Sequence, residues 1–192
     1  MDSIIIRVAR ESDAPAICAI YRYYVENTTV SFRYAAPDVA WHERNIRETL
    51  RFYPYFVAER DGAIAGFAYA EPARVPEAYR WNVETTIYLS PDCPKRQGLG
   101  TRLYQTLLSA LTAMGMRNAY AGVVSDNTPS LALHRSLGFE REGCYTRTGY
   151  KFGAWRDVVW LRKTLGSFDG APGEPRAFWE DEEDEGNEDA GA

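Results

Sequence analysis

The stretch Pro94-Lys95-Arg96-Gln97-Gly98-Leu99-Gly100-Thr101 decides how this chain reads. It stands between a strand-like run, Asn82-Val83-Glu84-Thr85-Thr86-Ile87-Tyr88-Leu89, and a long amphipathic one, Thr101 to Met114. Two glycines there let the backbone bend sharply and let a ligand come close to it. If the following residues are helical, successive N–H groups converge at a helix N-terminus, whose partial positive charge attracts phosphate. Lys95, Arg96 and Arg102 add full charges, and Glu84 on the preceding strand offers a base. A phosphate cradle beside a strand-borne carboxylate points to an enzyme that uses a phosphorylated cofactor. The spacing is not that of a Walker loop, nor of the dinucleotide fingerprint at the start of a βαβ unit. A glycine turn before a helix is also commonly structural, and on the loop alone that reading stays open.

Working outward, Ile4 to Ala9 reads as a strand. Ser12 or Asp13 then caps a helix with apolar Ile17, Ile20, Tyr21 and Tyr24 at helical spacing. Asn27 to Tyr34 is a polar connection, and Pro37 suits the first turn of a second helix running to about Phe52. Tyr55 to Arg60, Asp61-Gly62, and Ile64 to Ala70 spell a hairpin. After Val83 to Leu89 and the glycine loop, Gly115 ends the long helix and Ala119 to Val124 forms a strand. Pro129 to Leu137 is a short helix stopped by Gly138. Arg141 to Thr148 and Trp155 to Leu165 close the fold as strands. The order β-α-α-β-β-β-α-β-α-β-β predicts an α/β fold with a mixed, largely antiparallel sheet flanked by helices.

The 192 residues suit one domain with a real core. The formal charge of −5 is unevenly spread: from Gly166 on there are ten acids against one base, Arg176. Residues 1–165 keep 21 bases and 17 acids, a net of +4, which suits an anionic cofactor and argues against nucleic acid. Composition predicts one folded domain over 1–165 and an acidic, disordered tail over 166–192. Phe178 and Trp179 read as stray aromatics within that tail or as a partner-binding motif. No apolar run reaches the roughly 18 residues of a membrane span, and the first residues lack the pattern of a signal peptide. Three scattered cysteines, Cys18, Cys93 and Cys144, show no metal spacing and read as free thiols in a cytoplasmic protein.

Chemistry on a group carried by a phosphorylated cofactor commonly requires a proton acceptor for the attacking group. Glu84, amid Trp81, Val83, Ile87 and Tyr88, is the candidate base, its pKa expected to rise by desolvation. An exposed strand carboxylate or ion-pair partner is the plainer alternative. Asn127 precedes Pro129 and can cap the short helix that carries Ser130 and His134.

Lys95-Arg96-Gln97-Gly98-Leu99-Gly100 resembles the coenzyme A loop of the GNAT superfamily of N-acetyltransferases, Gln/Arg-x-x-Gly-x-Gly/Ala, with Lys95 in place of the usual first residue. Asn127 to Phe139 resembles the family's second cofactor motif. Three further pieces, Tyr24 to Arg33, Ala78 to Ser90 and Gly149 to Asp157, resemble phosphinothricin N-acetyltransferases, whose relatives acetylate methionine sulfoximine or sulfone. The resemblance covers about residues 4–165. It implies the GNAT fold, acetyl-CoA as co-substrate without a metal, a small-molecule amine acceptor, and a homodimer. It assigns catalysis to Glu84 and His134, the latter as proton donor to the leaving thiolate. It places the cofactor against Ile87, Tyr88, Leu89, Lys95, Arg96, Gln97, Gly98, Leu99, Gly100, Thr101, Asn127 and Ser130. It places the acceptor against Phe32, Arg74, Ala78, Tyr79 and Arg80. Arg33, Arg74 and Arg80 are the available anchors for a carboxylate or phosphinate. Pro76 stands where the herbicide-resistance enzymes are basic, which leaves the acceptor open. A peptide amine as acceptor, or a non-catalytic acyl-CoA-binding module, are the rival readings.

Overall fold

The computed structural model describes residues 4–94 and 97–179. The elements are β1 (Ile4–Val8), α1 (Ala14–Asn27), α2 (Val39–Thr49), β2 (Tyr55–Arg60), β3 (Ala63–Pro72), β4 (Asn82–Leu89), α3 (Leu99–Ala113), β5 (Asn118–Val124), α4 (Thr128–Ser136), β6 (Glu140–Lys151) and β7 (Ala154–Thr164). Short 3₁₀ turns precede α1 and β4, at Glu11–Asp13 and Glu77–Tyr79. The order is the expected one. α2 begins after Pro37 because Asp38 is its cap, its carboxylate accepting from the Trp41 N–H at 2.8 Å. The β2–β3 turn places Asp61 and Gly62 at φ 50° and 82°, both left-handed, which matches the twist of the strands it joins. α3 and α4 both end in Schellman motifs. Gly115 and Gly138 are left-handed, and the residues after them, Met116 and Phe139, donate back to Leu111 O and His134 O at 3.0 Å.

The seven strands lie in the order β1-β2-β3-β4-β5-β7-β6, antiparallel throughout except between β4 and β5. Strand alternation sends side chains to two packed faces. On one, α3 sets Leu103, Tyr104, Leu107 and Leu111 against Ala58, Ala68, Ala70 and Val83. On the other, Ile17 and Ile20 of α1 and Ile46 of α2 cover Tyr55, Val57 and Phe67.

Of the tail expected to be disordered over 166–192, residues 180–192 lie outside the described residues, whereas the stretch from Gly166 to Trp179 makes defined contacts with the domain. It straps back over the end of the domain where α3 finishes. The Trp81 indole donates to Gly173 O at 2.7 Å, Arg80 pairs with Glu174 at 2.7 Å, and Arg176 N–H reaches Met114 O at 2.9 Å. Phe178 packs edge-on against Phe56, ring centres 5.5 Å apart, and the Trp179 indole donates to Leu50 O at 2.7 Å. Composition averages over the segment, whereas two aromatics and three N–H donors suffice to dock it.

Candidate active site

The site is built around a fork in the sheet. β4 and β5 pair only from Asn82↔Asn118 to Glu84↔Tyr120, yet β4 runs on to Leu89 and β5 to Val124. At the crotch the Thr85 hydroxyl donates to Tyr120 O at 2.9 Å. Beyond it the β5-facing edge of β4, carrying Ile87, Tyr88 and Leu89, is released from the ladder, and a linear amide-bearing ligand can add there as a strand would.

The limb ends at the glycine loop. Gly98 is the N-cap of α3 with φ 77°, a left-handed conformation that suits glycine, and α3 has no side-chain cap. Its first-turn N–H groups have no carbonyl one turn earlier to bond. Gly100 is buried, and a Cβ there would meet Leu89 at 3.2 Å and Leu133 at 3.6 Å. The two glycines therefore serve different ends, one the turn and the other the close packing of α3 on β4 and α4. Leu99 is buried, Thr101 half-buried, and Gln97 accepts from Arg60 at 2.7 Å. Lys95 and Arg96 lie outside the described residues. Asn127 caps α4, its side-chain oxygen accepting from Ser130 N–H at 3.3 Å. This set, an open helix N-terminus, a left-handed glycine and a free strand edge, fits the pyrophosphate and amide arm of a coenzyme.

Glu84 is half-buried on the α1/α2 face, the third residue of β4 and the last paired with β5. Directly across the antiparallel pair stands Glu71 of β3. Burial raises the Glu84 carboxyl above its usual range, the negative charge of Glu71 raises it further, and Arg74 opposes both. Glu71 is raised by partial desolvation and held back by Arg33. Arg33 lies over the Trp41 ring at 5.0 Å, and Arg74 approaches the Trp160 ring at 5.9 Å. This face of the fork thus presents two carboxylates and two guanidiniums.

Among the other acceptor candidates, Phe32 packs on the Gly149 backbone, which leaves no room for a Cβ there. Lys151, only 2% exposed, donates to Val25 O and Ser31 O at 2.6 Å each, and so clamps the 25–34 segment to the β6–β7 hairpin. Ala78 and Tyr79 are exposed at the short turn before β4. Arg80 is engaged by Glu174 and lies over Trp81 at 5.5 Å, on the strap rather than in the fork.

His134 is 2% exposed and faces the other side of the sheet, among Tyr104 and Phe139. Its Nδ1 lies 2.8 Å from Ser130 O, a group that only accepts, so Nδ1 carries the proton. Nε2 then accepts from the Tyr104 hydroxyl at 3.0 Å, so at the 2.6 Å contact with Tyr104 the single Thr85 proton is shared between the Tyr104 oxygen and Tyr120 O. Burial lowers the His134 pKa, opposed by the bond to Ser130, so the neutral ring is favoured. Glu84 and His134 are therefore joined through β4, one on each face. Sequence reading missed Glu71, Tyr104 and the fork itself. Only the alternating pattern around Tyr69, Glu71, Glu84 and Thr86, once the hairpin register is assumed, holds a trace of the first. Among the described residues no group of three or more His, Cys, Asp or Glu is placed to hold a metal, and no helix is long and apolar enough to cross a membrane.

Comparison with known proteins matches residues 6–160 to a family model described as an acetyltransferase (GNAT) domain. A phosphinothricin N-acetyltransferase of Streptomyces viridochromogenes is 40% identical over 159 residues, covering 82% of this chain and 86% of the relative. An L-methionine sulfoximine/L-methionine sulfone acetyltransferase of Pseudomonas paraeruginosa is 35% identical over 172 residues, covering 87% and 98%. In structure, a GNAT superfamily phosphinothricin acetyltransferase from Sinorhizobium meliloti in complex with acetyl-CoA superposes with a TM-score of 0.85 at 35% identity, covering 90% of this chain and 95% of that one.

Proposed function

From the premise that this chain belongs to the GNAT superfamily and is an acetyl-CoA-dependent N-acetyltransferase, we propose that it acetylates the α-amine of a small amino acid or analogue, of the phosphinothricin or methionine sulfoximine/sulfone type, by direct attack, with Glu84 as the base. Acetyl-CoA supplies the acyl group already activated as a thioester. The α3 N-terminus and the free edge of β4 hold it, and the fork presents its acyl end beside Glu84. Glu84 takes the proton of the bound ammonium, directly or through water, so that the amine attacks. Of Arg33 and Arg74, one anchors the acceptor carboxylate. The observation that carries this reading is the half-buried Glu84 at the crotch of the fork, with a second carboxylate and two guanidiniums near it.

His134 is placed to position Tyr104 and Thr85 at the crotch, and this geometry favours positioning over the proton donation that the resemblance implied. A homodimer and a cytoplasmic location complete the proposal. The first is supported by the exposed aromatic rim of Tyr34, Tyr150, Phe152 and Trp155 beside Phe32, the second by three free thiols. The test is thiol release from acetyl-CoA by the wild type and by Glu84→Gln. The variant should bind acetyl-CoA normally and lose about 10²–10⁴-fold in kcat/KM. The base works only when ionised and its pKa is raised. The acidic limb of the wild-type profile therefore lies above that of an ordinary glutamate. The variant's deficit should shrink toward high pH, where free amine is abundant. Full activity of Glu84→Gln at neutral pH removes Glu84 from the mechanism.

A further inference from the structure

We infer that Glu71 is a specificity-determining residue of the acceptor site, selecting amino acids whose side chain is neutral or cationic over those that carry a second anionic group. The inference rests on the acceptor class proposed above and says which members of that class the site prefers.

Glu71 and Glu84 are direct partners on adjacent antiparallel strands, so their side chains leave the sheet on the same face. Arg33, from the segment after α1, acts on Glu71, and Arg74, from the segment after β3, acts on Glu84; Tyr69 shares the Glu71 face of β3, and Tyr120 of β5 is the ladder partner of Glu84. An α-amino acid brings one ammonium and one carboxylate. Its ammonium is taken by Glu84 and its carboxylate by one of the two arginines. With Arg74 on the carboxylate, what remains for the side chain is Arg33, the guanidinium that acts on Glu71, a pair whose charges cancel. A phosphinate or side-chain carboxylate would meet no surplus positive charge and would lie near a standing negative one. A sulfone, sulfoximine or amide meets polar groups without that repulsion. The Glu71 carboxylate also acts on Glu84, where like charge keeps the base avid for protons.

The experiment compares phosphinothricin, whose side chain is anionic, with methionine sulfone, whose side chain is neutral, in the thiol-release assay on the full chain. Glu71→Gln keeps the shape and removes the charge. It should raise the ratio of kcat/KM for phosphinothricin over methionine sulfone by about tenfold, chiefly through the KM for phosphinothricin. That is the order expected of one charge a few ångströms away in a partly screened cleft. With methionine sulfone, the acidic limb of kcat/KM should move to lower pH. Glu71→Asp, which retains the charge, should keep the wild-type ratio. An active wild type whose ratio is unchanged in Glu71→Gln overturns this inference alone. A wild type that releases thiol with neither acceptor overturns the acceptor class, and this inference with it.

Discussion

Phe178→Ala should lower the melting temperature of this protein measurably, although the residue lies beyond the last strand in a segment of acidic composition. The ring is partly buried against the main core and meets Phe56 edge-on at 5.5 Å, while its backbone N–H is held by Phe52 O at 2.9 Å. Fully burying a phenylalanine is worth about 2–3 kcal/mol, so a half-buried ring contributes about 1–1.5. An edge-to-face aromatic pair adds about 0.5–1. The backbone bond survives the substitution, and both variant and parent order the same strap, so chain entropy nearly cancels. The sum is about 2 kcal/mol, which for a domain of this size corresponds to a fall of about 4–8 °C. Thermal unfolding followed by circular dichroism reads it directly. Phe178→Leu, which keeps most of the apolar area, should recover about half of the loss. A chain ending at Leu165 should melt lower by at least a comparable amount, because it loses Phe178 together with the anchors at Gly173, Arg176 and Trp179. If Phe178→Ala and the shortened chain both melt within about a degree of the full protein, well inside the expected shift, the strap contributes nothing and the packing argument fails.

Among the described residues, buried His42 has no hydrogen-bond partner for either ring nitrogen, and burial lowers its pKa to about 4. Below its unfolded value of about 6.5 the unfolded chain binds a proton the native one does not. Stability should therefore fall as pH drops from about 6.5 to about 4, by on the order of 3 kcal/mol in total. Urea titrations of wild type and His42→Phe across that window check it, and parallel pH dependence in the two would refute it. In the cofactor loop, Gly98→Val and Gly100→Val should raise the KM for acetyl-CoA far more than Lys95→Ala, because backbone geometry rather than one charge forms the cradle. Gly100→Val should also melt lower, since its Cβ meets Leu89 and Leu133; equal small losses in all three would sink the idea. His134→Ala should lower kcat and the melting temperature together while leaving the alkaline limb of the pH profile in place. Loss of that limb, with partial rescue by His134→Tyr, would restore the proton-donor role.

What the sequence determined by itself was local. Asp61-Gly62 specifies a left-handed hairpin turn. Gly115 and Gly138 stop their helices. Apolar spacing marks α1 and α3, and Gly98-Leu99-Gly100 opens a helix without a side-chain cap. Each follows from conformational preferences of a few neighbouring residues, and so the element order and the glycine turn that opens α3 were legible. Glu84 was legible too, because it sits on the strand that leads into that loop. Contacts between distant segments were decided only by the tertiary structure. Glu71 becomes a neighbour of Glu84 through hairpin register, and a one-residue slip would have turned it to the opposite face. His134 is drawn to Tyr104 and Thr85, rather than to Glu84, because alternation along β4 sends consecutive residues to opposite sides of the sheet. Composition put the end of the folded domain near Leu165, but Phe178 and Trp179 reach surfaces made by α2 and β2. No local pattern encodes that docking; its free energy comes from apolar area and hydrogen bonds that exist only once those elements have packed.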